Sequence, residues 1–273
     1  MVSQLFLSIP SHYFNLLKTW KYLEENISSN SYFSYFNYIS IKYSSVFFKE
    51  FSSINNAFFW SWNKFVRYPI ELVISTSVFG FSYILMQYLF QMLQTPFAIT
   101  NRPDLGNYSF SMSATGVLIS LILAILGVIT TALIQSAYMA GIIDIANNVN
   151  TTIKSFFQPR NVGSIIIASS VTSIIIGIGT ILCIFPGILA DITLMFTTVA
   201  ILVNNLPGIE AVTMSFETVK TNFNSVVFIW LFNILAAFIG IIFCGAGLLV
   251  TYPVISLIIV YKWYELNDNK KYD

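Results

Sequence analysis

The chain of 273 residues is 56% hydrophobic and only 9% charged, whereas an average soluble domain is roughly 25% charged. Its net charge of +1 predicts neither a basic surface that binds nucleic acid nor a basic site for acidic ligands. One histidine and two cysteines exclude most His/Cys metal sites, because a structural zinc needs about four ligands. The composition therefore predicts a membrane protein that carries no metal or other cofactor.

Residues 1–66 form the first predicted domain, a cytosolic or interfacial region of aromatic-rich amphipathic helices. The start has no basic region and only a short apolar run, so it is not predicted to be a cleaved signal peptide. Apolar residues recur at helical spacing before the first span, at Phe47, Phe51, Ile54, Phe58 and Phe65. Such a face suits the headgroup boundary of a bilayer. The alternative is an N-terminal domain in which these apolar helix faces pack against one another.

The second predicted domain, residues 67–266, contains six apolar runs of the ~20 residues that cross a ~30 Å hydrocarbon layer. Pro69 begins the first run, because its fixed φ suits a first helical turn. The predicted spans are 70–93, 114–143, 164–185, 187–203, 225–243 and 248–264. A short polar cytosolic tail, 267–273, follows. The predicted fold class is all-α, a polytopic membrane protein with six transmembrane helices.

Short turns join spans three and four, and spans five and six, so each pair must form an antiparallel hairpin. Lysine and arginine placement predicts the orientation, since these residues concentrate in cytosolic loops. With both termini inside, the inner side carries twelve of the thirteen basic residues and the outer side carries only Arg102. The outer loop also contains a glycosylation sequon at Asn107. The sequence thus predicts a multi-pass protein of the cell membrane with cytosolic N- and C-termini.

An internal repeat accompanies the two short turns. In each turn a glycine precedes a cysteine by four residues and another glycine follows the cysteine. The two sets are Gly179, Cys183 and Gly187, and Gly240, Cys244 and Gly247. Amphipathic segments precede the three hairpins, at 47–68, 151–164 and 207–225. We therefore predict three copies of an interfacial helix followed by a transmembrane hairpin, a unit that becomes buried only on stacking.

Asp191 is the one clearly intramembrane carboxylate of the predicted spans. An ionisable group inside a span is a functional candidate by default, here for proton or ion coupling. The alternative is a structural role, in which Asp191 is solvated near the outer turn or caps the helix that begins near Gly187. Glu71 and Asp144 lie at cytosolic span ends, where solvation is the simpler interpretation.

Prolines and cysteines supply the remaining candidates. Pro186 and Gly187 form the first outer turn, and Pro253 interrupts span six, where a break either lines a gate or only shapes the helix. Cys183 and Cys244 lie at corresponding outer ends of spans three and five. A disulfide between them is sterically feasible if the hairpins are neighbours. The alternative is two buried, reduced thiols.

Rows of small residues four apart allow helices to approach closely. They include Gly116, Ser120 and Ala124, and Ser169, Ser173 and Gly177. Packing within one chain explains these rows, and a homo-oligomer is the alternative.

Several short motifs resemble a widespread superfamily of polytopic membrane proteins. They include Ser155-Phe-Phe-Gln-Pro-Arg160, Cys183-Ile-Phe-Pro-Gly-Ile188, Glu210-Ala-Val-Thr-Met-Ser215 and Cys244-Gly-Ala-Gly-Leu248. The superfamily contains the uncharacterised YciC-like proteins and the membrane domain of some glycerophosphodiester phosphodiesterases. The resemblance covers roughly residues 136–266 and implies the fold rather than an activity, because the phosphodiesterase's catalytic barrel is absent here.

The low-charge composition, rich in Ile, Tyr, Asn and Ser, also resembles membrane proteins of thermoacidophilic archaea. A group of this kind with a described role is the Ced-type DNA-import system, whose central component is similar in size and layout. This resemblance implies an integral membrane subunit of a pore or channel type. It also implies a separate ATPase and small membrane subunits as partners. Nucleic acid is a partner only if the DNA-import interpretation is correct.

The sequence contains no Walker A loop, nucleophile elbow or metal-ligand cluster, so an enzyme is not predicted. The predicted function is that of a membrane subunit of a translocation system, with the lipid bilayer as its first partner. The alternative is a non-transporting protein for membrane organisation or lipid handling, which the aromatic surface helices favour.

Overall fold

The computed structural model describes residues 29–94, 114–149, 151–243 and 245–267, and these are helical and contain no strand. In chain order the α-helices are α1 (Ser29–Arg67), α2 (Pro69–Gln94), α3 (Ala114–Ala146), α4 (Val162–Leu182), α5 (Ile184–Leu194), α6 (Thr197–Asn204), α7 (Gly208–Thr221), α8 (Phe223–Ile242) and α9 (Leu248–Leu266). A 3₁₀-helix, Ile153–Phe157, lies between α3 and α4. The predicted all-α class is confirmed.

Six helical segments of the described chain are long and apolar enough to cross a membrane, as the sequence predicted. They are 69–93, 117–146, 162–182, 184–204, 223–242 and 248–266. Five of them are single helices, and the fourth consists of α5 followed by α6. Large apolar side chains remain exposed on α2, α3, α4 and α8, which is typical of surfaces that face lipid.

The chain divides into two compact units, 1–56 and 57–273. The first contains the N-terminal part of α1 among its described residues. The second contains the last turns of α1 and all six candidate spans. Within the second unit the end of α1 is anchored by aromatic rings, with Phe58 against Phe232 and Trp60 against Tyr261.

The predicted hairpins are present, since α2 packs on α3, α4 on α5, and α8 on α9. The two short turns share one end of the bundle, here called the hairpin end. A Cβ built on Gly179 would lie only 3.1 Å from the backbone nitrogen of Gly187. A Cβ built on Gly247 would lie 2.8 Å from the Cα of Gly240. The α4–α5 and α8–α9 hairpins therefore each close on a pair of glycines at matching positions of the sequence repeat.

The fourth span differs from the continuous helix that the sequence predicted over 187–203. It begins earlier, at Ile184, and is interrupted at Met195 and Phe196. Two carbonyls at the interruption accept hydrogen bonds from hydroxyl groups. The Thr193 carbonyl accepts from Ser215 at 3.0 Å, and the Leu194 carbonyl accepts from Thr197 at 2.8 Å. Hydroxyl donors of this kind allow a broken helix inside a membrane, where water cannot satisfy free backbone groups.

The amphipathic segments before the later hairpins differ in length. α7 is a helix of 14 residues, with Ala211 and Ser215 buried and Glu210 and Lys220 exposed. Before α4 there is instead the short 3₁₀-helix, in which Phe156 is fully buried against α3. Gly141 makes room for this ring, because a Cβ there would overlap it. The phenyl ring therefore holds the connection between α3 and α4 against the bundle.

Candidate functional site

A polar groove among α2, α3 and α4 has a volume of about 620 Å³. Its polar lining consists of amide and hydroxyl groups from Gln87, Gln91, Thr131, Gln135, Ser169, Thr172 and Ser173. Only α2, α3 and α4 contribute lining residues among the described elements, so the groove has an open side. No Lys, Arg, Asp or Glu is among the residues that line it. The lining is therefore uncharged and combines seven polar with six apolar residues.

The groove lies at membrane depth. Gln135 is eleven residues from the end of α3 at Ala146, about 16 Å at 1.5 Å per residue. Gln87 and Gln91 are one helical turn apart and approach the hairpin end of α2. The polar lining therefore extends from near one end of the bundle to the middle of the spans.

The three glutamine side chains of the groove are exposed and not buried within the chain. Each amide offers two donors and an acceptor. Transfer of a polar group from water into hydrocarbon without a hydrogen-bond partner is unfavourable by roughly several kcal/mol, because no water is present to bond with it. Such amides need water, a bound solute or a polar group of another molecule in the groove.

A second, smaller cavity, the Asp191 pocket, adjoins the groove and has a volume of about 260 Å³. Gln135, Ser169 and Thr172 line both cavities, so the two are neighbours that share a wall. Asp191 lies seven residues into α5, about 10 Å along the helix. The indole nitrogen of Trp230 donates a hydrogen bond to its carboxylate at 2.9 Å. Asp191 thus links α5 to α8 and also lines the pocket.

The interruption of the fourth span borders the Asp191 pocket. Leu194, Met195, Thr197 and Thr198 all line it. The Ser215 hydroxyl of α7 bonds to the Thr193 carbonyl at the same level. Met195 and Phe196 keep right-handed helical backbone angles, so the interruption is a two-residue turn beside the pocket and not an unwound segment.

An ion pair at the end opposite the hairpin turns connects α3 to the start of α4. The guanidinium of Arg160 donates to both carboxylate oxygens of Asp144, at 2.8 and 2.6 Å. These hydrogen bonds raise the pKa of Arg160 above its usual value. The Ser136 hydroxyl donates to the Arg160 carbonyl at 2.6 Å and accepts from its amide at 2.9 Å. The interpretation of Asp144 as a solvated residue is therefore wrong, because Asp144 is buried and paired.

Lys64 caps the same end of α3. Its ammonium donates to the carbonyls of Ile145 and Ala146, at 3.4 and 3.3 Å, and to the side chain of Asn148. A cation is favoured there because the last carbonyls of a helix carry partial negative charge. Burial and the neighbouring charge of Arg67 lower the pKa of Lys64. The end of α1 is thereby attached to the end of α3.

The residues that the sequence singled out lie at several separate places. Asp191 lines a pocket, whereas Pro186, Gly187 and Pro253 do not line either cavity. Gly187 packs in the α4–α5 turn, and Pro253 is buried inside α9. Their proposed gating role stays a prediction.

The cysteine and glycosylation predictions fall largely outside the described residues. Cys183 is an exposed free thiol, so burial of this cysteine within the chain is not observed. Cys244 and Asn107 lie outside the described residues. The disulfide and the glycosylation site therefore stay predictions.

Sequence reasoning missed the glutamines of the groove. Gln87 and Gln135 stand in apolar runs that were interpreted only as spans, and the expected intramembrane polar group was Asp191 alone. The signal was present, because an amide in the middle of a span is costly unless it faces a partner or a cavity. The sequence alone does not show that α2, α3 and α4 pack together and place these amides around one groove.

The chain is similar in sequence to mycobacterial proteins that are described as uncharacterised. It is 28% identical over 228 residues to an uncharacterised protein of Mycobacterium tuberculosis, and the alignment covers 80% of this chain and 70% of that protein. An uncharacterised protein of Mycobacterium bovis matches to the same extent. No family model matches the chain, and no solved structure does.

Proposed function

We propose that this chain is an integral membrane subunit of a translocation system, and that the polar groove forms part of the path of a small polar substrate. The observation that carries the proposal is the set of glutamine amides that line one groove from near the hairpin end to the middle of the spans. Packing alone does not explain the glutamines, because apolar residues at the same positions would face lipid without a desolvation cost. A separate ATPase would supply energy if the transport requires it.

The dimensions and charge of the groove favour a small substrate over nucleic acid. A volume of about 620 Å³ lies within the ~300–1,000 Å³ that is typical of small-molecule sites. Channels for single-stranded nucleic acid are positively charged and present aromatic platforms. The groove contains Phe90 but no basic residue. DNA import would require a different, wider opening between several copies.

Flux through reconstituted vesicles tests the translocation proposal. Purified protein in phosphatidylcholine vesicles is expected to pass at least one of four probes: glycerol, potassium ion, choline or a fluorescent lipid. Gln135→Leu is expected to reduce that flux about tenfold, because it removes a polar group worth roughly one hydrogen bond. Stopped-flow light scattering, ion-sensitive dyes and dithionite quenching measure the four fluxes.

Gln158→Leu provides the matched control, because it makes the same change at an exposed position outside the spans. This variant is expected to retain full flux. Vesicles that pass none of the four probes would contradict the proposal. An equal loss of flux in both variants would also contradict it.

The proposed orientation has both termini in the cytosol, following the twelve basic residues predicted on that side. The hairpin end then faces outward. In a Cys244→Ser variant, exposed Cys183 is expected to react with an impermeant maleimide added to intact cells. Reaction only after the membrane is opened would reverse the orientation.

A role in membrane organisation or lipid handling is the second candidate. The open side of the groove favours it, because lipid could place a headgroup there while its chains stay in the bilayer. The many exposed apolar side chains of α2 and α3 supply a surface for those chains.

A further inference from the structure

We infer that the polar groove binds an uncharged group bearing several hydroxyls, such as a polyol or a sugar. The inference rests on the proposed function for its biological meaning, and it adds the chemical class of the substrate. The same chemistry has two sources, a free polyol in water and the sugar headgroup of a membrane lipid. Both present hydroxyl groups without a net charge.

The lining of the groove selects for neutral hydroxyl groups. Glutamine amides and serine or threonine hydroxyls are each donors and acceptors, and a sugar hydroxyl is also both. The described lining contains seven such side chains on three helices, although the Thr172 hydroxyl already donates to the Ser169 carbonyl and is left only to accept. The hydroxyls of a bound polyol can therefore both donate and accept hydrogen bonds. A simple cation interacts only with acceptors, and a simple anion only with donors.

The electrostatics of the groove disfavour charged ligands. Bringing an ion to membrane depth is costly unless an opposite charge meets it. The larger cavity offers no such charge. The nearby carboxylate of Asp191 lies in the adjoining pocket, where the Trp230 indole already donates to it. The residues that line the groove itself therefore offer only dipoles to an anion or a cation.

The arrangement of the amides fits a ligand that spans more than one helix. Gln87 and Gln91 approach from α2, Gln135 from α3, and Ser169 and Ser173 from α4. A ligand with a single polar group would leave most of these groups unpaired. A ring or chain with several hydroxyls satisfies amides on at least two helices together.

Binding and movement are measured separately, so that the inference and the translocation proposal can fail independently. Binding is measured by native mass spectrometry of the full chain with a glucosyl diacylglycerol, against phosphatidylserine and a cationic lipid of the same chain length. Movement is measured in vesicles with sorbitol in stopped-flow scattering and with a tail-labelled glucosyl lipid in dithionite quenching. The sorbitol arm reports a free polyol, and the lipid arm reports a headgroup.

The expected result is preference for the glucosyl lipid or for sorbitol over the charged probes. Gln87→Leu and Gln135→Leu are each expected to weaken that binding or flux about tenfold, and Gln158→Leu is expected to leave it unchanged. Retention of the glucosyl lipid without movement would support the inference and reject translocation. Gln135-dependent movement of potassium or of a charged lipid instead would support translocation and overturn the inference. Equal response to all probes, or no effect of either glutamine variant, would also overturn it.

Discussion

Replacing Gly208 with alanine is expected to lower the free energy of unfolding by about 1–3 kcal/mol, the usual cost of overpacking. A Cβ at this position would lie 2.9 Å from the backbone nitrogen of Ala168 and 3.0 Å from the Cβ of Ile167. It would lie closer still to the carbonyl oxygen of Ser164. These atoms belong to the α4 backbone or lie next to it, so no side-chain rotation relieves the overlap. The start of α7 must therefore move away from α4.

Gly163→Ala is the matched control, because a Cβ at Gly163 meets nothing within 4 Å. That variant is expected to be neutral, or more stable by about 0.5–1 kcal/mol because alanine favours helix. Unfolding in mixed micelles with increasing SDS measures both variants. If Gly208→Ala is as stable as the parent chain, α7 does not pack against α4 as described.

The hairpins could be predicted because their cause is local in sequence. Apolar runs define the spans, and a turn of a few residues leaves only an antiparallel partner. The glycines at 179, 187, 240 and 247 marked the two short turns as copies of a repeat. The structure places each pair in contact. Sequence periodicity and turn chemistry sufficed for this part of the fold.

The interruption of the fourth span could not be predicted, because Met195 and Phe196 contain no helix-breaking signal. Its causes are distant in sequence. Ser215 of α7 bonds to the Thr193 carbonyl at 3.0 Å, and the buried Phe196 ring packs on Trp263 of α9. Tertiary partners therefore outweigh local helix propensity here. The position of this break beside the Asp191 pocket followed only from the structure.

The candidate site was predicted in part. Asp191 stood out because a carboxylate in a span is rare, and the structure places it beside a cavity. The groove itself depends on how α2, α3 and α4 meet, which no single helix reveals. Gln135 illustrates the difference, since its polarity is visible in the sequence and its neighbours Ser169 and Thr172 are not.

Removing Arg160 is expected to destabilise the chain more than removing Asp144. The Asp144 side chain is 11% exposed, whereas the Arg160 side chain is 47% exposed. Arg160→Ala leaves a buried carboxylate without its partner, at a cost of about 2–3 kcal/mol after allowance for partial solvent screening. Asp144→Ala leaves a guanidinium that turns into water, at a cost of about 1 kcal/mol. SDS unfolding of the two single variants measures the difference.

The double variant distinguishes a paired carboxylate from two independent residues. When Asp144 is already alanine, removing Arg160 leaves no buried carboxylate without a partner. The double variant is therefore expected to be as stable as Asp144→Ala. Lys154→Ala is the control for a lost basic residue and is expected to change stability by less than about 0.5 kcal/mol, because Lys154 is exposed. Additive losses in the double variant would show that the pair does not hold α3 to the start of α4. A coupled loss would identify this ion pair as one of the attachments that fix the start of α4, beside the Ser136 hydrogen bonds and the Phe156 ring.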